Sequence, residues 1–452
     1  AAFENHWRNE LGREWNAQVA GAFDERRIEL PPDAGDDTPA QAARRTFLES
    51  EIGCGIDLFF GGGAYDFIQQ ARAGRLVDCG VLDRHPEWFA GDAGIPRELG
   101  GEQFYDPGGR WVGVCLSAFG IVYNRDAIER LAIARPPAQW RDLADPRYFG
   151  QVALADPTKS GSVAKAFEML IQQQMQIEVE QAGGHAALAG ADLERALAAG
   201  WERAMRLILQ IAANARYFTD SATKIPIDVA LGDAAAGMCI DFYGRFQSET
   251  LRREADSDRM VYLTPDGGSS TGVDPIGLLR GAPDPELARA FIDFTLSLDG
   301  QKLWNFMVGT PGGPETYALR RLPIRRELYA GKYRPLRSDP DVDAYAEAVG
   351  FTYHPEWTAP LFSVIRFVIR AMCLDPHDEL RAGWQAVIGD HADTRARRQL
   401  LDVSAVDYHR CREEIRAVLR SPDRVDEVRL AKELGGRFRD QYRKAAAMAG
   451  DQ

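Results

Sequence analysis

Apolar positions along this chain fall into short runs and helical repeats. AAFENHWRNELGREW carries apolar residues at helical spacing, so residues 1 to about 20 are predicted helical. A Pro/Asp/Gly-rich loop at 31–39 and a helix at about 40–51 follow. In GIDLFFGGGAYDFIQQARAGRLVD, an apolar strand (Ile56–Phe60) runs through three glycines into a helix (Ala64–Ala73). WVGVCLSAFGIVYN (111–124) predicts a strand, or two end to end. PAQWRDLADPRYFG reads as helix and turn, QVALADPTKSGS as strand and loop, and 163–180 as a long helix. The segment 190–216 gives further helix, and IDVALGDAAAGMCIDFYGRFQ repeats the strand-then-loop pattern. Residues 260–283 are extended around a Gly/Ser loop, and PELARAFIDFTLSLDGQKLWNFMVG is an amphipathic helix pair. Beyond about 320 the chain is helical and charged, with final helices at about 395–420 and 424–448. Short strands alternating with helices define an α/β fold class. There is no internal repeat and no low-complexity tract.

At roughly 100–200 residues per domain, a 452-residue chain holds two to four domains. Lys and Arg number 54 against 67 Asp and Glu, a net charge of −13, which gives little counterion-release advantage on a polyphosphate. No nucleic-acid partner is expected. Hydrophobic residues at 45% and charged residues at 27% are an ordinary globular balance, which argues against large-scale disorder. No stretch reads as the 18 or more apolar residues of a membrane span. No basic n-region with an apolar h-region opens the chain, which begins without Met. Either a leader has been removed or a first strand lies outside the sequence. The six cysteines (54, 79, 115, 239, 373 and 411) form no CxxC pair, which excludes a zinc ribbon or thioredoxin-type motif. Cys115 and Cys239 lie in apolar strand runs and read as buried thiols, while Cys54 and Cys79 could pair in an oxidising compartment.

Four segments carry candidate chemistry. Gly61, Gly62 and Gly63 stand between strand and helix, where missing Cβ atoms let backbone N–H groups approach a ligand and the helix start adds partial positive charge. Tyr65 and Asp66 follow on the first helical turn. The same glycines also suit a plain tight connection, since the spacing is not GxGxxG. After the strand QVALA come Thr158, Ser160, Gly161 and Ser162, whose hydroxyls and N–H groups at a helix start suit phosphate, carboxylate or polyol. Ser160 also reads as a simple N-cap, and the GxxxxGK[ST] frame is missing. Asp241, Tyr243 and Arg245 cluster at the end of the apolar strand GMCI, where open α/β sheets place ligands, or where a structural Asp/Arg pair forms. Gly268-Ser269-Ser270-Thr271-Gly272 matches G-x-S-x-G in form, but Asp274-Pro275 and a strand follow where a nucleophile elbow needs a helix. No HExxH occurs and the seven His are scattered, so no metal site is expected.

In order, GIDLFFGGGAYDF, SAFGIVYNRD, WRDLADPRYFGQVALADPTKSGS, PIDVALGDAAAGMCIDFYGR, DPIGLLRGAP and GTPGGP resemble the extracellular solute-binding proteins of ABC importers. The similar branch is the iron(III)-type one, with ferric, thiamine, phosphonate and sugar-phosphate binders. The resemblance covers about residues 50–330. It implies a bilobal, type II periplasmic-binding-protein-like fold: two α/β lobes, a hinge the chain crosses twice, and a helical C-terminal extension. Lobe 1 would hold 1–116 and a return at 266–335, lobe 2 would hold 117–265, and the extension 336–452. The ligand would lie in the cleft and be captured by hinge closure. By similarity Gly61, Gly62 and Gly63 line the first lobe, and Thr158, Ser160, Gly161, Ser162, Asp241 and Tyr243 the second, with Asp274 near the second crossing. The ferric binders' adjacent tyrosines are met here by Asp241-Phe242-Tyr243, and one phenolate does not make the several oxygen ligands a hard cation wants. The family's usual first strand is not seen before residue 1, so part of the site is expected outside the sequence.

The reading is therefore a non-enzymatic solute-binding component of an ABC import system. It takes a small polar ligand, anionic or polyhydroxylated, with no cofactor. Its partners are that small molecule and the membrane permease. It is expected as a monomer in the periplasm or outside the cell, its leader removed. The alternatives are a serine hydrolase built on Ser270 and a sensor or scaffold protein of the same fold, the latter suggested by the long helical tail.

Overall fold

The short apolar runs become two five-stranded sheets, each with its own core. The computed structural model describes residues 1–16, 45–388, 394–421 and 423–450. The expected loop at 31–39, and parts of the helices expected on either side of it, lie outside the described residues. The chain divides into two units. The first comprises Ala1–Ser117 and Thr271–Ala346, the second Ala118–Ser270 and Glu347–Gln452.

In the first unit, Gly272–Leu279 lies between Leu58–Phe60 and Val112–Ser117, Leu322–Pro323 adds to the far side, and Leu76–Val77 pairs with the end of Gly272–Leu279. Every pairing is antiparallel, with Phe60 opposite Ile276 and Ser117 opposite Gly272. All six residues of Val112–Ser117 are buried, so this strand is covered on both faces and reads as an unbroken apolar run. Phe67 from the helix Ala64–Arg72 and Ile292 and Leu296 from Pro285–Leu296 join its core. Asp284 starts the latter helix by accepting the Leu287 N–H at 3.1 Å. The N-terminal helix, Ala2–Asn9, is shorter than predicted and sets Phe3 and Trp7 against Leu287 and Phe294.

The second unit has the strand order Met260–Leu263, Phe119–Asn124, Ala236–Ile240, Val152–Ala155, Ala215–Thr219. The last three run parallel, so their carboxyl ends share one edge. Two expectations need correction here. IDVAL lies in a helix, Lys224–Leu231, because Ile225 and Val229 are buried four residues apart and Gly232 closes it at φ +84°. The helix predicted over 190–216 ends at Ala213, and Ala215–Thr219 becomes a strand through parallel pairing with Val152–Ala155, a partner no local pattern reveals.

The helical C-terminal segment packs into this second unit from Glu347 onward. Trp384, Tyr408, Phe438 and Tyr442 share its core with Trp201 and Ile208. Trp201 Nε1 donates to the Val406 carbonyl at 2.9 Å, and Tyr408 Oη donates to that of Trp357 at 3.0 Å. One helical run, Pro355–Leu374, is long and apolar enough to cross a membrane by length and composition, which corrects the sequence reading. Pro360, Arg366 and Arg370 interrupt that run in the sequence, and most of its apolar window is buried in the unit. All six cysteines are free thiols, Cys54 and Cys79 included, and burial pushes Cys79 up to about 11.

Asn214 is fully buried and joins the segments: its amide donates to the carbonyls of Leu143 (3.0 Å) and Asp145 (2.8 Å), and its oxygen accepts from Trp384 Nε1 (2.9 Å). Asn214→Ala leaves these groups buried without a partner, at about 1–3 kcal/mol each where no water replaces it. The expected loss is about 3 kcal/mol in a urea denaturation curve. A loss within about 0.5 kcal/mol would show that this junction does not hold the unit together.

Candidate functional site

The sequence-predicted residues separate into two clusters, one per unit. In the first, Leu58–Phe60 ends on Gly61 and Gly62, at φ +82° and +91°, a region that disfavours side chains. Gly61 N–H donates to the Pro275 carbonyl at 2.9 Å, which places the turn beside Asp274. A Cβ on Gly61, Gly62 or Gly63 would meet nothing within 4 Å. The first two glycines thus serve a left-handed turn, and the turn faces open space. Gly63 caps the helix Ala64–Arg72, with Tyr65 half-buried on its first turn. Asp274 sits at a register shift before Pro275, and its carboxylate is ion-paired with Arg321.

Arg321 was not foreseen. It follows Arg320, a non-glycine residue at φ +54° whose guanidinium is buried against Asp339. Two adjacent arginines therefore serve two different carboxylates. The doublet Arg320-Arg321 was the available signal, but its partners lie far along the chain.

In the second unit, the loop after Val152–Ala155 and the start of the helix Asp241–Ala255 leave the sheet at the shared carboxyl edge. Asp156 Oδ1 accepts from Thr158 N (2.8 Å) and Thr158 Oγ1 (2.6 Å), which winds the loop into a tight turn. Ser160 Oγ accepts the Val163 N–H at 3.3 Å and lies 3.2 Å from Ser162 Oγ, so two hydroxyls stand at the start of the 21-residue helix Gly161–Gln181. A Cβ on Gly161 would also meet open space. Lys159 pairs with Asp220, at the end of the neighbouring parallel strand, at 2.7 Å. Arg366, from the C-terminal segment, clasps the loop: Nε donates to the Pro157 carbonyl at 2.7 Å and Nη2 to that of Thr158 at 2.6 Å. It too was not foreseen, being some two hundred residues away in sequence.

Asp241 takes a different place from the loop hydroxyls. Its side chain is 0% exposed and is ion-paired with Arg245, one helical turn on. Its carboxylate also accepts the Phe242 N–H at 2.8 Å. Arg245 lies 5.8 Å over the Tyr262 ring. Burial first, then the Asp241 carboxylate, pushes the Tyr262 hydroxyl well above its ordinary range. The pair holds the strand end in shape, and Tyr243, half-buried against Phe242, is the member of this triplet with exposed surface.

The Ser270 loop is a packing element. Ser270 is 1% exposed and its hydroxyl points to Met169 Sδ at 3.1 Å. Trp140 Nε1 donates to the Gly268 carbonyl at 2.6 Å, and Ser269 Oγ accepts the Phe119 N–H at 2.9 Å. A Cβ on Gly268 would come within 2.7 Å of Gln173 Nε2, so close approach explains this glycine. A strand, Gly272–Leu279, follows directly. An exposed nucleophile on a strand-to-helix elbow is not what this geometry provides.

The two α/β units account for the strand and helix order along the chain. The chain belongs to the bacterial extracellular solute-binding protein family, whose model matches residues 55–333. It is 24% identical over 192 residues to the phosphoglycerate transport regulatory protein PgtC of Salmonella typhimurium, covering 42% of this chain and 40% of that protein. It is 25% identical over 350 residues to a putrescine/agmatine-binding protein of Pseudomonas aeruginosa, covering 74% and 84%. Iron-bound HitA of the same organism aligns with TM-score 0.47 and 18% identity over 73% of this chain and 87% of that one. The chain spans 40% of PgtC and 51% of an uncharacterized Haemophilus influenzae relative, about half the length of such proteins.

Two substitutions test the roles assigned above. Arg366→Met removes two bonds from a charged donor, each contributing about 1.5–3 kcal/mol. Amides 158–163 should exchange with deuterium about tenfold faster or more, with the global transition retained. Unchanged protection would remove Arg366 as the clasp. Asp241→Asn removes the carboxylate paired with the buried Arg245 and should lower stability by about 3 kcal/mol on urea unfolding. A near-neutral result would show that Asp241 is not part of the structural frame.

Proposed function

We propose that this chain is the solute-binding component of an ABC import system, working in the periplasm or outside the cell. It hands a small polar solute to a membrane permease and does no chemistry on it. The observation that carries the ligand class is the loop 156–162. Hydroxyls of Thr158, Ser160 and Ser162 gather at the start of a long helix, where backbone N–H groups and the helix dipole favour an anion. Hydroxyls both donate and accept, so a polyhydroxylated solute suits the same loop.

A phosphorylated or carboxylated small molecule fits better than a diamine. Asp241 and Asp274 are each engaged by an arginine, and Asp156, inside the loop, accepts from Thr158 N and Oγ1. A dication would have to displace those guanidinium groups from their carboxylates, whereas an anion at the loop hydroxyls and helix start leaves both pairs in place. A hydrolase reading has no support from Ser270, which is buried. The C-terminal segment that suggested a sensor or scaffold is built into the core of the second unit.

The test is a thermal-shift screen of the purified chain against sugar phosphates, phosphonates, small carboxylates and diamines. One anionic or polyhydroxylated class should raise the midpoint in proportion to the logarithm of its concentration. The double substitution Ser160→Ala, Ser162→Ala should weaken that ligand by about tenfold or more, about 1.4 kcal/mol. A shift with diamines alone would overturn the ligand class, and no shift across the panel would overturn the binding function.

A further inference from the structure

Apart from both loop clusters, the second unit brings two imidazoles and a carboxylate together. His185 lies in the connection after the helix Gly161–Gln181, and His354 and Glu356 lie at the entry to the short helix Pro355–Thr358. One ligand atom from each of the three residues lies within 4.8 Å of the other two. Sequence spacing hides the group, because well over a hundred residues separate His185 from His354.

The geometry is that of ligands awaiting a small cation. At metal–ligand bonds of about 2.0–2.1 Å, two vertices of a tetrahedral site are about 3.3–3.4 Å apart. His354 Nδ1 and Glu356 Oε1 are already 3.4 Å apart. His354 is held from both sides. Its N–H donates to Gln172 Oε1 at 3.2 Å and its carbonyl accepts from Gln172 Nε2 at 2.8 Å. Its ring stacks on Trp357 at 4.0 Å and 14°. His185 is exposed and follows Gly183 and Gly184, at φ +124° and +89°, a turn that glycine favours and that brings the imidazole to His354. The two imidazole rings are 4.7 Å apart. An ion pair and a ring stack hold His354 and Glu356, and His185 packs its ring against His354 and, at 5.6 Å, against Trp357, so aromatic packing brings the three ligand atoms together.

We propose that His185, His354 and Glu356 form a binding site for a divalent first-row transition ion of the zinc class, with water completing the coordination. Two nitrogens and one carboxylate oxygen suit Zn²⁺, and the set is too nitrogen-rich for Mg²⁺ or Ca²⁺. His354 and Glu356 lie beyond the family-matched residues 55–333, and the group shares no residue with either solute cluster. A bound ion would tie the 182–189 connection to the C-terminal segment, so the site is one of fastening and not of solute capture.

The experiment is calorimetric titration of the tag-free, chelator-treated full chain with Zn²⁺ near neutral pH, with Co²⁺ as a spectroscopic probe. One equivalent of Zn²⁺ should bind, and Co²⁺ should develop visible d–d bands of a four- or five-coordinate site. His185→Ala and Glu356→Gln should each weaken Zn²⁺ by about tenfold or more. His185→Ala should leave the metal-free thermal midpoint unchanged, since His185 is exposed, which separates a lost ligand from a lost fold. Absence of stoichiometric binding, or wild-type affinity in both variants, would overturn the site. Equal Ca²⁺ and Zn²⁺ affinity would overturn the assigned metal class. Because neither solute cluster is involved, failure here leaves the solute screen unaffected.

Discussion

The second unit depends on one constraint: the helix Gly161–Gln181 is buried along most of its length although it carries Glu168, Gln172, Gln173 and Gln174. Buried polar groups must find partners, and a buried charge left alone is costly. Glu168, 1% exposed, accepts from Tyr353 Oη (2.9 Å) and Thr358 Oγ1 (2.7 Å) and pairs with Lys165 at 3.0 Å. Gln172 donates to Thr358 Oγ1 at 2.7 Å, and Gln173 donates to Gln139 Oε1 at 3.0 Å. Two of these four partners, Tyr353 and Thr358, come from the C-terminal segment. The tail is therefore what makes a polar helix tolerable in an apolar core.

The same helix presents the candidate solute loop at its N-terminus. Its first turn carries the hydroxyls, its middle anchors the tail, and the tail returns Arg366 to the loop carbonyls. The loop is thus held in one arrangement by groups outside it, which would lower the ordering cost of the binding proposed above. The glycine turn of the first unit is fixed by other means. Gly61 and Gly62 take backbone angles that side chains disfavour, and Arg321 fixes Asp274 beside them.

Several features were legible in local pattern alone. The strand–glycine–helix at 58–72, the end-to-end strands at 112–124 and the strand and long helix at 152–181 all appear, because their apolar periodicity agrees with their tertiary setting. The helix at 224–231 was misread because Ile and Val favour strands locally, while burial every fourth residue decided for helix. Whether Asp241 faces solute or Arg245 was also beyond local pattern, since an acidic residue at a strand end serves either purpose.

The sequence by itself determined the α/β class, the positions of the two donor-rich loops and the membership signalled by six ordered motifs. These rest on periodicity, glycine and capping chemistry, which act over a few residues. The tertiary structure alone decided that the tail belongs to the second unit, that Arg321 and Arg366 flank the loops, and that His185 meets His354. Each of those joins residues far apart in the chain, and such pairs are chosen by packing and by the need to satisfy buried polar groups.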